Sequence, residues 1–138
     1  MKKIDQITNH ELSHRLLELG VPENRASLLW IDGSALLIRT GEMDFQGKGI
    51  KIAPAFTITD VENVLPAEIF QDKFQYRLTI EALSCPAGMQ WRYSYKYSGI
   101  RGPKPPITNL IHAQGESRIE TAVMMVSRLL WNGFKLAL

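Results

Sequence analysis

The chain has 138 residues, 45% of them hydrophobic and 22% charged, with a formal net charge of +2. That length suffices for one domain burying roughly two-thirds of its unfolded surface, and the composition is that of an ordinary soluble globular protein rather than a disordered or fibrous one. No apolar run approaches the ~20 residues that span a bilayer, and the lone Cys85 excludes an internal disulfide and a multi-cysteine zinc site.

Charge is unevenly spread. Residues 1–70 carry seven Lys/Arg against ten Asp/Glu, and residues 71–138 carry nine against four. From Ala82 to Gly115 there is no acidic residue, while Arg92, Lys96, Arg101 and Lys104 fall within that stretch. A mild basic surface is expected there. Lys2 and Lys3 are not followed by an apolar stretch, so no signal peptide is expected and the cytoplasm is the expected compartment. Cys85 reads as a small apolar filler.

In chain order, Thr8 and Glu11 form a capping-box pattern that opens a helix carrying Leu12, Leu16 and Leu19, with Gly20 and Pro22 stopping it. Residues 22–31 are ambiguous between a helix opened by Pro22 and a buried strand at Leu28–Ile31. Asp32-Gly33 favours a tight hairpin with Ala35–Arg39 as the returning strand. Gly41–Gly49 is a polar loop without the lysine-serine/threonine ending of a phosphate-binding loop. Ile50–Ile58 is apolar and extended, and Pro54 places it at an edge. Thr59 and Glu62 suggest a second capping box for a short helix ended by Pro66.

Two strict alternations follow. Phe74, Tyr76, Leu78, Ile80 and Ala82 interleave with polar residues, as do Met89, Trp91, Tyr93, Tyr95 and Tyr97 beyond the Ser84–Gly88 turn. They predict an antiparallel hairpin with one apolar face, in a register placing Glu81 opposite Arg92. Residues 99–116, with Pro103, Pro105 and Pro106, read as a long loop of the functional or mobile kind, the prolines making a stiff connector or a ligand for an aromatic groove. Ser117 and Glu120 open a last helix that ends at Asn132-Gly133. Its core stripe is Ile119, Ala122, Val123, Val126 and Leu130. With Met124, Met125 and Trp131 added, a helix so apolar around its girth is buried on more than one side or joins a dimer interface. The expected architecture is one α+β domain over residues 1–138, an antiparallel sheet built from two hairpins with the N- and C-terminal helices packed on it.

Two patterns carry chemistry. His10-Glu11-Leu12-Ser13-His14 fits the HExxH signature, in which two histidines one turn apart hold zinc and the glutamate acts on a bound water. We read it as coincidental. His10 and His14 fall on the side of the helix away from the leucines, and Glu11 has a capping role. The likeness to zincin metalloproteases covers five residues, with Arg15 where that family has an uncharged residue, and only nine residues precede the motif, too few for the family's substrate-binding strand. The second pattern interleaves aromatics from Trp91 to Tyr97 with Arg92 and Lys96, continuing to Arg101 and Lys104. Such strands hold single-stranded nucleic acid when bases stack on the aromatics and cations track the phosphates. Alternation, however, sends aromatics and cations to opposite faces, so the aromatics are expected in the core.

The layout of a Glu11-Leu12-Ser13 helix, a Trp-bearing hairpin, a short helix ending Val64-Leu65-Pro66, a Trp91-Arg92 hairpin and a closing Leu129-Leu130-Trp131-Asn132-Gly133 helix resembles small uncharacterised proteins of prophages and mobile elements in gut bacteria. The resemblance implies a non-enzymatic accessory protein and transfers no functional residue. The expectation is therefore a small binding module without cofactor or membrane association, its partner another protein or a second copy. The alternatives are nucleic-acid binding through Arg92, Lys96, Arg101 and Lys104, and zinc hydrolysis through His10 and His14.

Overall fold

The first helix starts at Asn9, not at Thr8. In the computed structural model, which describes residues 7–31, 35–38, 52–99 and 102–138, α1 spans His10–Glu18 and the Asn9 side chain accepts the Leu12 amide at 2.8 Å. Thr8 is instead fully buried. Its hydroxyl accepts the Phe56 amide at 2.9 Å and lies 2.6 Å from the Ser13 hydroxyl, while its own amide donates to the Phe56 carbonyl at 2.8 Å. The expected Thr8–Glu11 box is thus corrected: Thr8 is committed to a tertiary bond, and the neighbouring asparagine is an equally good cap. Leu16 points into the core, and Gly20, at φ +96°, closes the helix in the left-handed region.

Residues 22–31 combine both expected conformations, a single 3-10 turn at Glu23–Arg25 and then β1, Leu28–Ile31. Strand β2, Ala35–Ile38, returns antiparallel with Ile31 facing Ala35. The Asp32-Gly33 turn and the Gly41–Gly49 loop lie outside the described residues. Strand β3, Ile52–Ala55, pairs with the other side of β1, so Pro54 does sit in an edge strand of a three-stranded sheet ordered β2-β1-β3. The Trp30 indole donates to the Thr8 carbonyl at 3.0 Å and ties this sheet to the start of α1.

Helix α2, Ile58–Val64, does have a capping box, but two residues earlier than expected. Thr57 accepts the Asp60 amide and Asp60 accepts the Thr57 amide. Asp60 also accepts the Ser27 amide at 2.8 Å and the Ser27 hydroxyl, which binds α2 to the entry of β1. Thr59 lies within the helix, and Glu62 is occupied elsewhere.

The two expected hairpins do not share one sheet. The second, β5 (Phe74–Cys85) with β6 (Gly88–Tyr97), is flanked by β4 (Glu68–Gln71) and β7 (Asn109–Gly115) in the order β4-β5-β6-β7. Its register places Glu81 opposite Arg92 as expected. Strand β7 corrects the reading of residues 99–116 as loop throughout, since Asn109–Gly115 form a strand that faces Trp91–Lys96 of β6. Turn β4–β5 is made by Asp72-Lys73, with Asp72 at φ +57°, a conformation aspartate tolerates better than most residues.

Helix α3, Arg118–Trp131, is capped by Ser117 and ends before Gly133, at φ +86°. It lies over β6 and β7, with α1 and α2 against it. The architecture is α+β, with N- and C-terminal helices around one core in which Leu16, Phe56, Val61, Val64, Tyr76, Tyr93, Tyr95, Val123, Met125 and Leu129 are fully enclosed.

The Thr8 clasp gives a first prediction. Thr8→Val leaves the buried Phe56 amide unpaired and should lower the urea unfolding free energy by about 1–3 kcal/mol. Thr8→Ser should recover most of that loss, because it keeps the acceptor oxygen. Equal loss in both variants would show that the hydroxyl bond is not what holds the two segments together.

Candidate functional site

Alternation along β6 decides which of its side chains meet solvent. Tyr93 and Tyr95 are fully buried beneath α3, and Tyr76 joins them from β5. Each hydroxyl at the rim finds an acceptor: Tyr95 donates to the Pro66 carbonyl and Tyr76 to the Ile107 carbonyl, both at 2.7 Å, and Tyr93 donates to the Glu62 carboxylate. These rings are core, so they offer no stacking platform for bases.

The opposite face of β6 carries the cations expected from sequence. Lys96 does not stand free, since its ammonium lies 2.7 Å from Glu81 and holds that carboxyl below the usual carboxylate range. Arg92, although opposite Glu81 in the ladder, donates to Gln114 of β7 at 3.1 Å. Arg77 is 3.6 Å from Glu68. Between the Glu81–Arg92 and Arg77–Lys96 rows lie Thr79, Ser94 and His112. A Glu81–Lys96 bridge must pass over that middle row, and Ser94 beneath it is fully buried with its hydroxyl unpartnered. Lys104 is exposed in the segment between β6 and β7, and Arg101 lies outside the described residues. The structure thus brings Arg92 and Lys96 onto one face, each already engaged.

His10 and His14 sit on the exposed side of α1. His14 is 2.7 Å from Glu18, an exposed i,i+4 pair, and the His10 ring lies 5.5 Å from that of Trp30. Among the described residues, no three His, Cys, Asp or Glu side chains cluster as metal ligands would.

A half-buried charge network was not legible in the sequence. Arg118, the first residue of α3, binds Glu62 of α2 through two guanidinium nitrogens at 2.9–3.1 Å, and its guanidinium lies 4.5 Å from the centre of the Trp91 ring. Tyr93 completes it from below, its phenol pushed well above the ordinary tyrosine range by burial and by the Glu62 carboxylate it donates to. Three elements meet here, and every charge is matched. The carboxylate is saturated by donors and the phenol is held neutral, so the cluster works as a bracket and presents neither base nor nucleophile. Arg118 directly after a capping serine was the only sequence signal, and nothing in the sequence pairs it with a residue 56 positions away.

Helix α3 also exposes a narrow arc. Val123 and Met125 are fully buried on either side of Met124, which is partly exposed, and Trp131 further along the same line is 88% exposed. Glu120 and Arg128 flank Met124 one turn to each side and are both exposed. The Arg128 guanidinium donates to the His112 carbonyl on the open edge of β7, which fixes it beside this arc. The sequence pattern marked Met124 and Trp131 as off the core stripe, but their exposure was decided by how α3 is tucked between the sheet and the other helices.

Comparison with known proteins found no match to a family model, to a curated protein or to a solved structure.

Two predictions test the bracket and the tyrosine burial. Arg118→Ala removes one partner of a largely enclosed pair and should destabilise by about 2 kcal/mol in urea unfolding, with Arg118→Lys recovering only part because the forked contact and the ring contact are lost. The raised ionisation of Tyr93 and Tyr95 also has a defined pH consequence. Unfolded tyrosine loses its proton near about pH 10, whereas the folded phenols hold theirs, so this stability is fully present below that pH and falls as pH rises beyond it. Absorbance titration near the phenolate band should show the buried tyrosines ionising only together with unfolding. Ionisation of all four tyrosines in the folded chain would contradict the burial.

Proposed function

We propose that this protein is a non-enzymatic interaction module whose docking surface is the exposed arc of α3. The observation that carries the reading is Trp131, a large aromatic 88% exposed on a helix whose other sides are sealed into the core. Indole side chains are enriched at the centres of protein interfaces, because they supply much contact area for little lost freedom. Met124 extends the apolar strip, and Glu120 and Arg128 rim it with both charge signs, the usual make-up of an interface patch. Arg128 and Trp131 are the residues whose truncation should matter most to binding. The expected kinship with accessory proteins of mobile elements agrees with such a role, as a module of this kind needs no catalytic centre.

A second reading is favoured by the polar face of the four-stranded sheet, where Arg77, Arg92 and Lys96 surround the unpartnered Ser94 hydroxyl. A phosphate backbone could be held there only by displacing Glu81 from Lys96, so nucleic-acid binding through this face would be weak and strongly salt-dependent.

One experiment separates the readings. A photo-crosslinking amino acid is placed at Trp131 in one chain and at Gln90, on the polar sheet face, in another, and each is irradiated in cells producing the protein. The expected result is a discrete protein adduct from position 131 and none from position 90. A nuclease-sensitive adduct from position 90 alone would favour the nucleic-acid reading, and absence of any adduct at 131 would overturn the interaction reading.

A further inference from the structure

Glu120 and Arg128 lie eight residues apart on α3, about 12 Å along the axis. Ion pairs within a helix need a spacing of three or four residues, so these two cannot meet in one chain. At the i+4 position of Glu120 stands Met124, and Glu120 forms no ion pair among the described residues. Met124 lies midway between the two charges, and all three point outward between the buried Val123 and Met125. A helix face with a negative charge, a central apolar residue and a positive charge at equal spacing is complementary to itself when a copy is laid across it in the reverse direction.

We propose that the occupant of the α3 arc is a second copy of this chain, docked antiparallel about a two-fold axis through Met124. This rests on the interaction reading above and names its partner. In that arrangement the two Met124 side chains meet at the axis. Glu120 of each copy faces Arg128 of the other, and Trp131 of each lies over the start of the other's α3, near Ser117. The contact is isologous, each patch meeting its own copy, and therefore closes after two chains rather than growing into a filament. Its charge pairs can form only between copies, which gives the arrangement its direction. A parallel arrangement would place Glu120 against Glu120 and Arg128 against Arg128. A single helix pair is a small interface, so the dimer belongs to the weak, transient class.

The test is sedimentation velocity of the full chain over a concentration series from low to high micromolar, at low and high salt. Four variants are run alongside, each checked for an unchanged circular dichroism spectrum. Wild type is expected to pass from monomer to dimer as concentration rises, less readily at high salt. Glu120→Arg and Arg128→Glu should each weaken dimerisation by at least about tenfold, since two like-charge contacts replace two attractive ones. The double variant Glu120→Arg/Arg128→Glu should restore it, because the pairing is kept with signs exchanged. Met124→Glu should abolish it by placing two carboxylates on the axis, and it serves as the check should Arg128→Glu disturb the His112 contact and fail to fold. A chain that stays monomeric throughout overturns the proposal, and so does a dimer indifferent to Met124→Glu or one that the double variant fails to rescue. The failures are distinguishable: a monomer that still yields an adduct to a different protein at position 131 removes self-pairing and leaves the interaction reading standing, whereas a monomer without any adduct there removes both.

Discussion

The covering of the β6 tyrosines organises this molecule. Tyr93 and Tyr95 project from one face of a long hairpin, and their rings are too large and apolar to leave in water. Helix α3 covers them with Ile119, Ala122, Val123 and Val126, all buried. Everything else answers to the same requirement. The phenolic oxygens of Tyr93, Tyr95 and their β5 neighbour Tyr76 need acceptors, and Glu62, the Pro66 carbonyl and the Ile107 carbonyl supply them in turn from α2, the residues after it and the segment before β7. The hydroxyls thus fix where three other pieces of chain can lie.

The Glu62–Arg118 pair follows from that constraint. A carboxylate brought close to a buried phenol would be costly unless a cation matched it. Arg118 provides the cation at the first position of α3, and the Trp91 indole lies against its planar guanidinium. Packing of α3 on the sheet and neutralisation of Glu62 are therefore one arrangement. The cluster that raises the Tyr93 ionisation is thereby accounted for by folding, and among the described residues this packing leaves open the polar side of the four-stranded sheet and the outer arc of α3. On the first, cations and carboxylates largely satisfy one another. On the second, Glu120 and Arg128 are too far apart to do so, and Trp131 is 88% exposed.

Much of the local structure was legible in the residues. The alternation of Phe74–Ala82 and Met89–Tyr97 specified a hairpin, its faces and its register down to the Glu81–Arg92 pairing. Gly20 and Gly133 marked two helix ends, and Pro54 marked an edge strand. The caps were less legible, for a physical reason. The sequence reading took Thr8 and Thr59 as caps, whereas Asn9 and Thr57 cap the helices, because a residue of each expected box is engaged by a distant segment. Phe56 took Thr8, and Arg118 with Tyr93 took Glu62, so neither expected box could close.

By itself the sequence determined the period and faces of the β5–β6 hairpin, the existence of the first and last helices with the glycines that end them, and that His10 and His14 point away from the leucines. Those properties depend on residues within a turn or two of one another. Only the tertiary structure decided that the hairpins belong to separate sheets, that β7 forms beyond the prolines, that Lys96 is bound to Glu81 rather than free, and that Trp131 is left outside. Each of those outcomes is a competition among groups far apart in the chain for the same acceptor, edge or apolar surface, and no local pattern records which of them wins.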